Sequence, residues 1–264
     1  MRQPSFFISH GGGPCFFMDW DPPDTWTRLG DSLRALPRQL PARPRAVLVI
    51  SAHWEAPAFT VTTQSRPPLL FDYYGFPEHT YRLTYPAPGD PALAQRIIER
   101  LDAAGLPAHG DATRGYDHGL FVPFKLIFPD ADVPMVQLSL RAGLDPAAHL
   151  ACGRALAALR DEGVLIVGSG YSYHNLRVFG PAAHDAATRF DAWLQDSLCA
   201  HAGTERETRL LHWETAPAAR QAHPREEHLL PLMVAAAAAG DEPGRCVFSE
   251  PVMGVLTSAF RFGT

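Results

Sequence analysis

A chain of 264 residues with 46% hydrophobic side chains carries enough apolar material for a full core. Its net charge of -5, with no long basic run, argues against a nucleic-acid partner. The four cysteines, Cys15, Cys152, Cys199 and Cys246, are far apart and form no CxxC pair; no thiolate metal site or disulfide framework is expected, and a reducing cytoplasm fits.

The first residues, MRQPSFFISHGGG, lack the long apolar run of a signal peptide. A first strand, SFFIS, leads directly into His10 and the turn HGGGP. A helix follows over DTWTRLGDSLRALPRQL, then the strand AVLVIS with His53 just beyond it, then the strand FTVTT. Between about residues 57 and 91 the prolines forbid one long helix, so an extended aromatic-rich loop is expected there. The helix DPALAQRIIERLDAAG comes next, and His118 sits in GYDHGLFVPF, which reads as a loop entering an apolar segment. The strand VPMVQLSL, the helix DPAAHLACGRALAALRDEG and the strand VLIVGSG follow, with His174 shortly after. The remainder reads as a helix over AAHDAATRFDAWLQDSLCAHAG, a helix EEHLLPLMVAAAAAG opened by His228, and strands in CVFSE and GVLTSAF. The alanine run MVAAAAAG is too short to span a bilayer, so no membrane partner is expected.

Nearly continuous apolar strands alternating with amphipathic helices predict an α/β fold. A mostly parallel central sheet flanked by helices on both faces accounts for them, in one domain over residues 1–264. Ligands of such sheets bind beyond the carboxyl ends of the strands, where His10, His53 and His174 fall. HGGGP is not a phosphate loop: no lysine follows the glycines, and proline breaks the GxGxxG order. Glycines that let the backbone turn beside a metal held by imidazoles explain it better.

Read together, ISHGGGP, SAHWE, FDYYGFPEHTYRLTYPAPG, YDHGLFVP, GSGYSYHNL and HPREEHLLPL resemble the DODA-type extradiol dioxygenases of the class III, LigB-like group, in order and over almost the whole chain. The resemblance implies a LigB-like fold and a non-haem Fe(II) enzyme that uses O2 to open a catechol-type ring, possible substrates including DOPA. It implies His10, His53 and His228 as metal ligands, and His174 as a histidine at or beside the metal. His118 takes the place of the catalytic acid/base. Zn(II) can occupy the same ligands in a purified sample. Two features depart from the wider class. Position 228 is histidine where a carboxylate is usual, with Glu226 and Glu227 beside it. Tyr171 and Tyr173 stand where smaller residues are expected.

Phe16, Phe17, Trp20, Tyr73, Tyr74 and Phe76 are candidates for a substrate pocket, with Tyr171 and Tyr173 added on the expectation that both face one side of an extended segment. Arg82, Arg177 and Arg225 are candidate partners for a substrate carboxylate. Two other readings use the same histidines: a zinc hydrolase, and a metal-binding protein without catalysis.

Overall fold

Each strand of the sheet centre is buried on both faces, and its side chains divide between two apolar layers. The structure, a computed structural model, describes residues 1–264. Strands β1 (Ser5–Ser9), β2 (Ala46–Ala56), β3 (Phe59–Thr62), β4 (Ala108–Asp111), β5 (Met135–Arg141), β6 (Val164–Gly170), β7 (Gly244–Val252) and β8 (Val255–Phe262) form one sheet in the order β4-β3-β5-β2-β6-β1-β8-β7. The central strands β5, β2, β6 and β1 are parallel, as are β3 and β4. The contacts of β3 with β5, β1 with β8 and β8 with β7 are antiparallel. Alternate residues take opposite faces: Phe7, Leu48, Ile50 and Ile166 join one layer, and Phe6, Val47, Val49 and Leu165 the other.

Helices α1 (Thr27–Ala35) and α3 (His118–Ile127) cover the second layer together with the loop after β3. Helices α2 (Pro91–Ala103), α4 (Pro146–Leu156), α5 (His184–Gln195), α6 (Gly203–Leu211), α7 (Ala219–Ala222) and α8 (Leu230–Ala237) lie on the first. Asp90 and Asp145 cap α2 and α4 through Leu93 N (2.9 Å) and Ala147 N (3.0 Å), each followed by the proline favoured at a first helical position. No helix is long and apolar enough to cross a membrane.

Local expectations change in four places. The first predicted helix ends at Ala35 because Pro37 cannot continue its hydrogen bonding, and a 3-10 turn takes over. GYDHGLFVPF is not a loop throughout: His118 is the first residue of α3. His228 does not open α8 but lies in the turn two residues before it. The helix expected over residues 182–203 closes in a π-helical turn at Asp196–Ala200, and Gly203 starts α6 instead of stopping a helix.

Candidate metal centre and substrate cavity

The parallel strands bring their carboxyl ends to one edge, and the histidines collect there. His10 follows β1, His53 lies near the end of β2, and β6 runs between these two strands. The close approach of the turn carrying His228 depends on Gly170, the last residue of β6. A Cβ there would lie 2.1 Å from the His228 carbonyl oxygen, so only glycine lets that turn settle against the strand. Tyr171 N then donates to the same oxygen at 3.1 Å.

His10, His53 and His228 offer ring nitrogens within 4.8 Å of one another. The Nε2 atoms of His10 and His53 stand 3.0 Å apart. His118 packs on His53 with ring centroids 3.9 Å apart, and His174 stacks on His228 at 3.4 Å with 16° between planes. Burial, reinforced by the neighbouring imidazoles, pushes His10 and His228 well below the ordinary histidine value and His53 down to about 3. The three are therefore neutral near pH 7, the form that binds a cation.

Hydrogen bonds set the tautomers. Ser169 Oγ donates its only proton to Gly119 O, so at 3.0 Å it accepts from His10 Nδ1–H and leaves His10 Nε2 as a lone pair. Glu227 Oε1 accepts from Nδ1 of both His228 (2.9 Å) and His174 (3.1 Å), which frees their Nε2 atoms in the same way. Two Nε2 atoms at 3.0 Å, one of them a lone pair, require a proton or a cation between them. The donor set thus fits a metal ion: three neutral imidazoles, carboxylate or hydroxyl groups behind two of them, and a cavity in front.

His118 is held differently. Its Nδ1 and backbone N–H both donate to Asp72 Oδ1, at 2.8 and 2.9 Å, so that Nε2 is the lone-pair nitrogen of the neutral ring. Burial tends to raise the Asp72 carboxyl, but the His118 hydrogen bonds and charge outweigh it, so Asp72 stays below the usual carboxylate range. Behind His53, the buried Asp117 carboxylate accepts from Ser51 Oγ (2.8 Å), Arg114 Nη2 (3.1 Å) and Gln137 Nε2. Arg114 also donates to His53 O at 3.2 Å and lies over the Trp54 ring. This network fixes the backbone of β2 where His53 leaves it.

The five histidines open onto one cavity of about 410 Å³, a size that suits a small aromatic ligand. Gly11 and Gly13 line it with positive φ angles of 87° and 51°, so the glycine turn does run beside the histidines. Of the pocket candidates offered by the sequence, Tyr73, Trp20, Phe76 and Tyr171 line it. Phe16, Phe17, Tyr74 and Tyr173 do not. Phe16 packs edge-on against Trp26, Phe17 lies under Lys125, and Tyr74 points to solvent. Tyr173 is buried in the other layer, with its hydroxyl on Val178 O at 2.8 Å. The chain has left the strand by residue 171, so period-two alternation no longer applies, and His174 shares the cavity with Tyr171. Residues that the sequence reading missed are Asp72, Ser169 and the lining side chains Trp26, Leu176, Phe179 and Met253. Only Asp72 carried a signal, as the acid inside FDYYGFP.

Residues 4–259 match the family described as the catalytic LigB subunit of aromatic ring-opening dioxygenase. The chain belongs to this family. It is 40% identical to a 4,5-DOPA dioxygenase extradiol of Beta vulgaris over 90% of this chain and 87% of that one. It is 36% identical to the dioxygenase tasH of Hapsidospora irregularis over 98% and 85% of the two chains. The crystal structure of an uncharacterized protein from Escherichia coli K12 superposes with a TM-score of 0.80 at 33% identity, covering 100% of both chains. The α/β architecture with its mostly parallel sheet is therefore shared with that structure.

Proposed function

We propose that this chain is an extradiol dioxygenase that opens a catechol-type ring with O2, using Fe(II) held by His10, His53 and His228. The observation that carries the reading is the pairing of His118 with Asp72 beside that histidine set, because a metal store has no use for a poised base facing the same cavity. When bound, Fe(II) supplies open coordination for the catechol oxygens and O2 together and an electron path between them, which removes the spin barrier to their direct reaction.

The chain's own groups supply the rest. His118 Nε2 accepts a phenolic proton, and the ionised Asp72 steadies the resulting imidazolium. The same imidazolium then holds that proton within the cavity for return to oxygen as the ring opens. Glu227 orients His228 and His174 through one oxygen, and His174 faces the substrate or O2. Trp26, Tyr73 and Phe76 keep bulk water from the reacting atoms. The carbon–carbon bond next to one hydroxyl breaks and both atoms of O2 enter the product, a muconic semialdehyde, so no external reductant is needed.

Anaerobic loading with Fe(II), followed by O2 and a panel of catechols that includes DOPA, tests this. The expected result is oxygen uptake matched mole for mole by ring-opened product. Metal-replete protein that consumes no O2 with any catechol refutes it, and hydrolysis by the Zn(II)-loaded form would establish the hydrolase instead.

A further inference from the structure

We infer that the preferred catechol carries an apolar or aromatic substituent, not the charged amino-acid side chain of DOPA; the inference rests on the ring-cleaving reading above. Apart from the histidines, the cavity is lined by Trp20, Trp26, Phe76, Leu176, Phe179 and Met253 together with Tyr73, Tyr171 and the glycine turn, with no arginine, lysine, aspartate or glutamate. A substituent bearing a carboxylate or ammonium would enter such walls without a partner, and an unpaired charge taken out of water is strongly disfavoured.

The arginines that the sequence offered as carboxylate partners are elsewhere. Arg82 pairs with Glu78 and Arg225 with Glu55, while Arg177 is exposed and lines no part of the cavity. Charges do occur in an adjoining groove beyond Trp20 and Met253, which carries Asp21, Asp24 and Arg28. Its one cation is already paired with Glu250 at 2.9 Å, so the groove offers a carboxylate no free partner.

The cavity mouth gives a second, independent observation. Leu176 is 72% exposed and Met253 44% exposed, although both are large apolar side chains. Met253 forms, with Gly254, the two-residue turn between β7 and β8, and its φ is 52°. That turn position favours asparagine, aspartate or glycine, so a methionine there costs conformational energy and gains nothing from core burial. Its position, half-exposed and lining both the cavity and the adjoining groove, is what an apolar ligand would reward.

The test compares four catechols on the Fe(II)-loaded enzyme: 4-tert-butylcatechol, DOPA, the anionic 3,4-dihydroxyphenylpropionate and the cationic dopamine. Turnover is read as kcat/KM, and binding without O2 is read by anaerobic calorimetry. The apolar catechol is expected to lead each charged one by about 10-fold or more in both readouts. Leu176→Arg, which places a cation at the exposed mouth of the cavity, should shift the ratio of anionic to apolar catechol by about 10-fold toward the anion. Comparable or better use of DOPA or the propionate overturns the inference and points to the Gly11–Gly13 backbone as an anion site. A lead for dopamine overturns it in favour of Asp21 and Asp24. In both cases ring cleavage itself stands. No cleavage and no binding of any of the four defeats the ring-cleaving reading, and this inference with it.

Discussion

Replacing Gly170 with alanine probes the contact that brings His228 to the strand ends. The new Cβ would lie 2.1 Å from the His228 carbonyl oxygen and 3.0 Å from the Phe7 ring. Backbone must yield by about 1 Å to restore ordinary contact, since carbon and oxygen do not approach within about 3 Å without bonding. The shift breaks the 3.1 Å hydrogen bond from Tyr171 N to the same oxygen, worth about 1 kcal/mol, and adds overpacking of about 1–3 kcal/mol. Tm should fall by roughly 4–8 °C. More tellingly, an imidazole ligand displaced by that distance should weaken metal binding by about 10–100-fold. Chelator competition on the purified variant measures the affinity, and calorimetric unfolding of the metal-free protein measures the stability. A variant with wild-type affinity and wild-type Tm would refute the claim that Gly170 sets the position of His228.

His118→Gln should retain full metal content while ring cleavage falls by about 10²–10⁴, measured by product absorbance against metal analysis; stoichiometric loss of metal would make His118 a ligand. Glu227→Gln removes the carboxylate that orients His228 and His174, and should weaken metal affinity about 10–100-fold in the same chelator assay. His149 lines no part of the cavity; its Nδ1 donates to Asp145 O at 2.8 Å, and burial lowers its value to about 4. It is neutral in the folded chain where the unfolded chain, near 6.5, takes up a proton. Its stabilisation is therefore complete above pH 6.5 and is lost as pH falls toward 4, by up to about 1.4 kcal/mol per pH unit. Denaturant unfolding of His149→Gln between those pH values should show a correspondingly shallower acid slope.

The parts of the molecule that could be read from sequence are those governed by local chemistry. Apolar runs such as AVLVIS and VLIVGSG become central strands because both their faces are buried, and Asp-Pro pairs start α2 and α4 because each aspartate caps the helix it precedes. Helix α3 escaped because it is apolar nearly all round, with only Lys125 among its residues not buried, and carries Pro123 inside; neither feature gives a 3.6-residue stripe. Strand β4 escaped because AHGD is short, polar and at the sheet edge. In the site, histidines at strand ends are visible along the chain, whereas Asp72 meets His118 across 46 residues and Ser169 meets His10 across 159. Such partners are fixed by sheet order, which no local pattern encodes. The error over Tyr173 has the same origin, since alternation held only as far as the strand did.

Anomalous diffraction at the iron edge, from crystals grown and loaded with Fe(II) without oxygen, would locate the metal on its ligands. One peak per chain is expected, about 2.0–2.2 Å from a ring nitrogen of each of His10, His53 and His228, with open coordination toward the cavity lined by His118. A peak on other residues, or none at full metal loading, would contradict it.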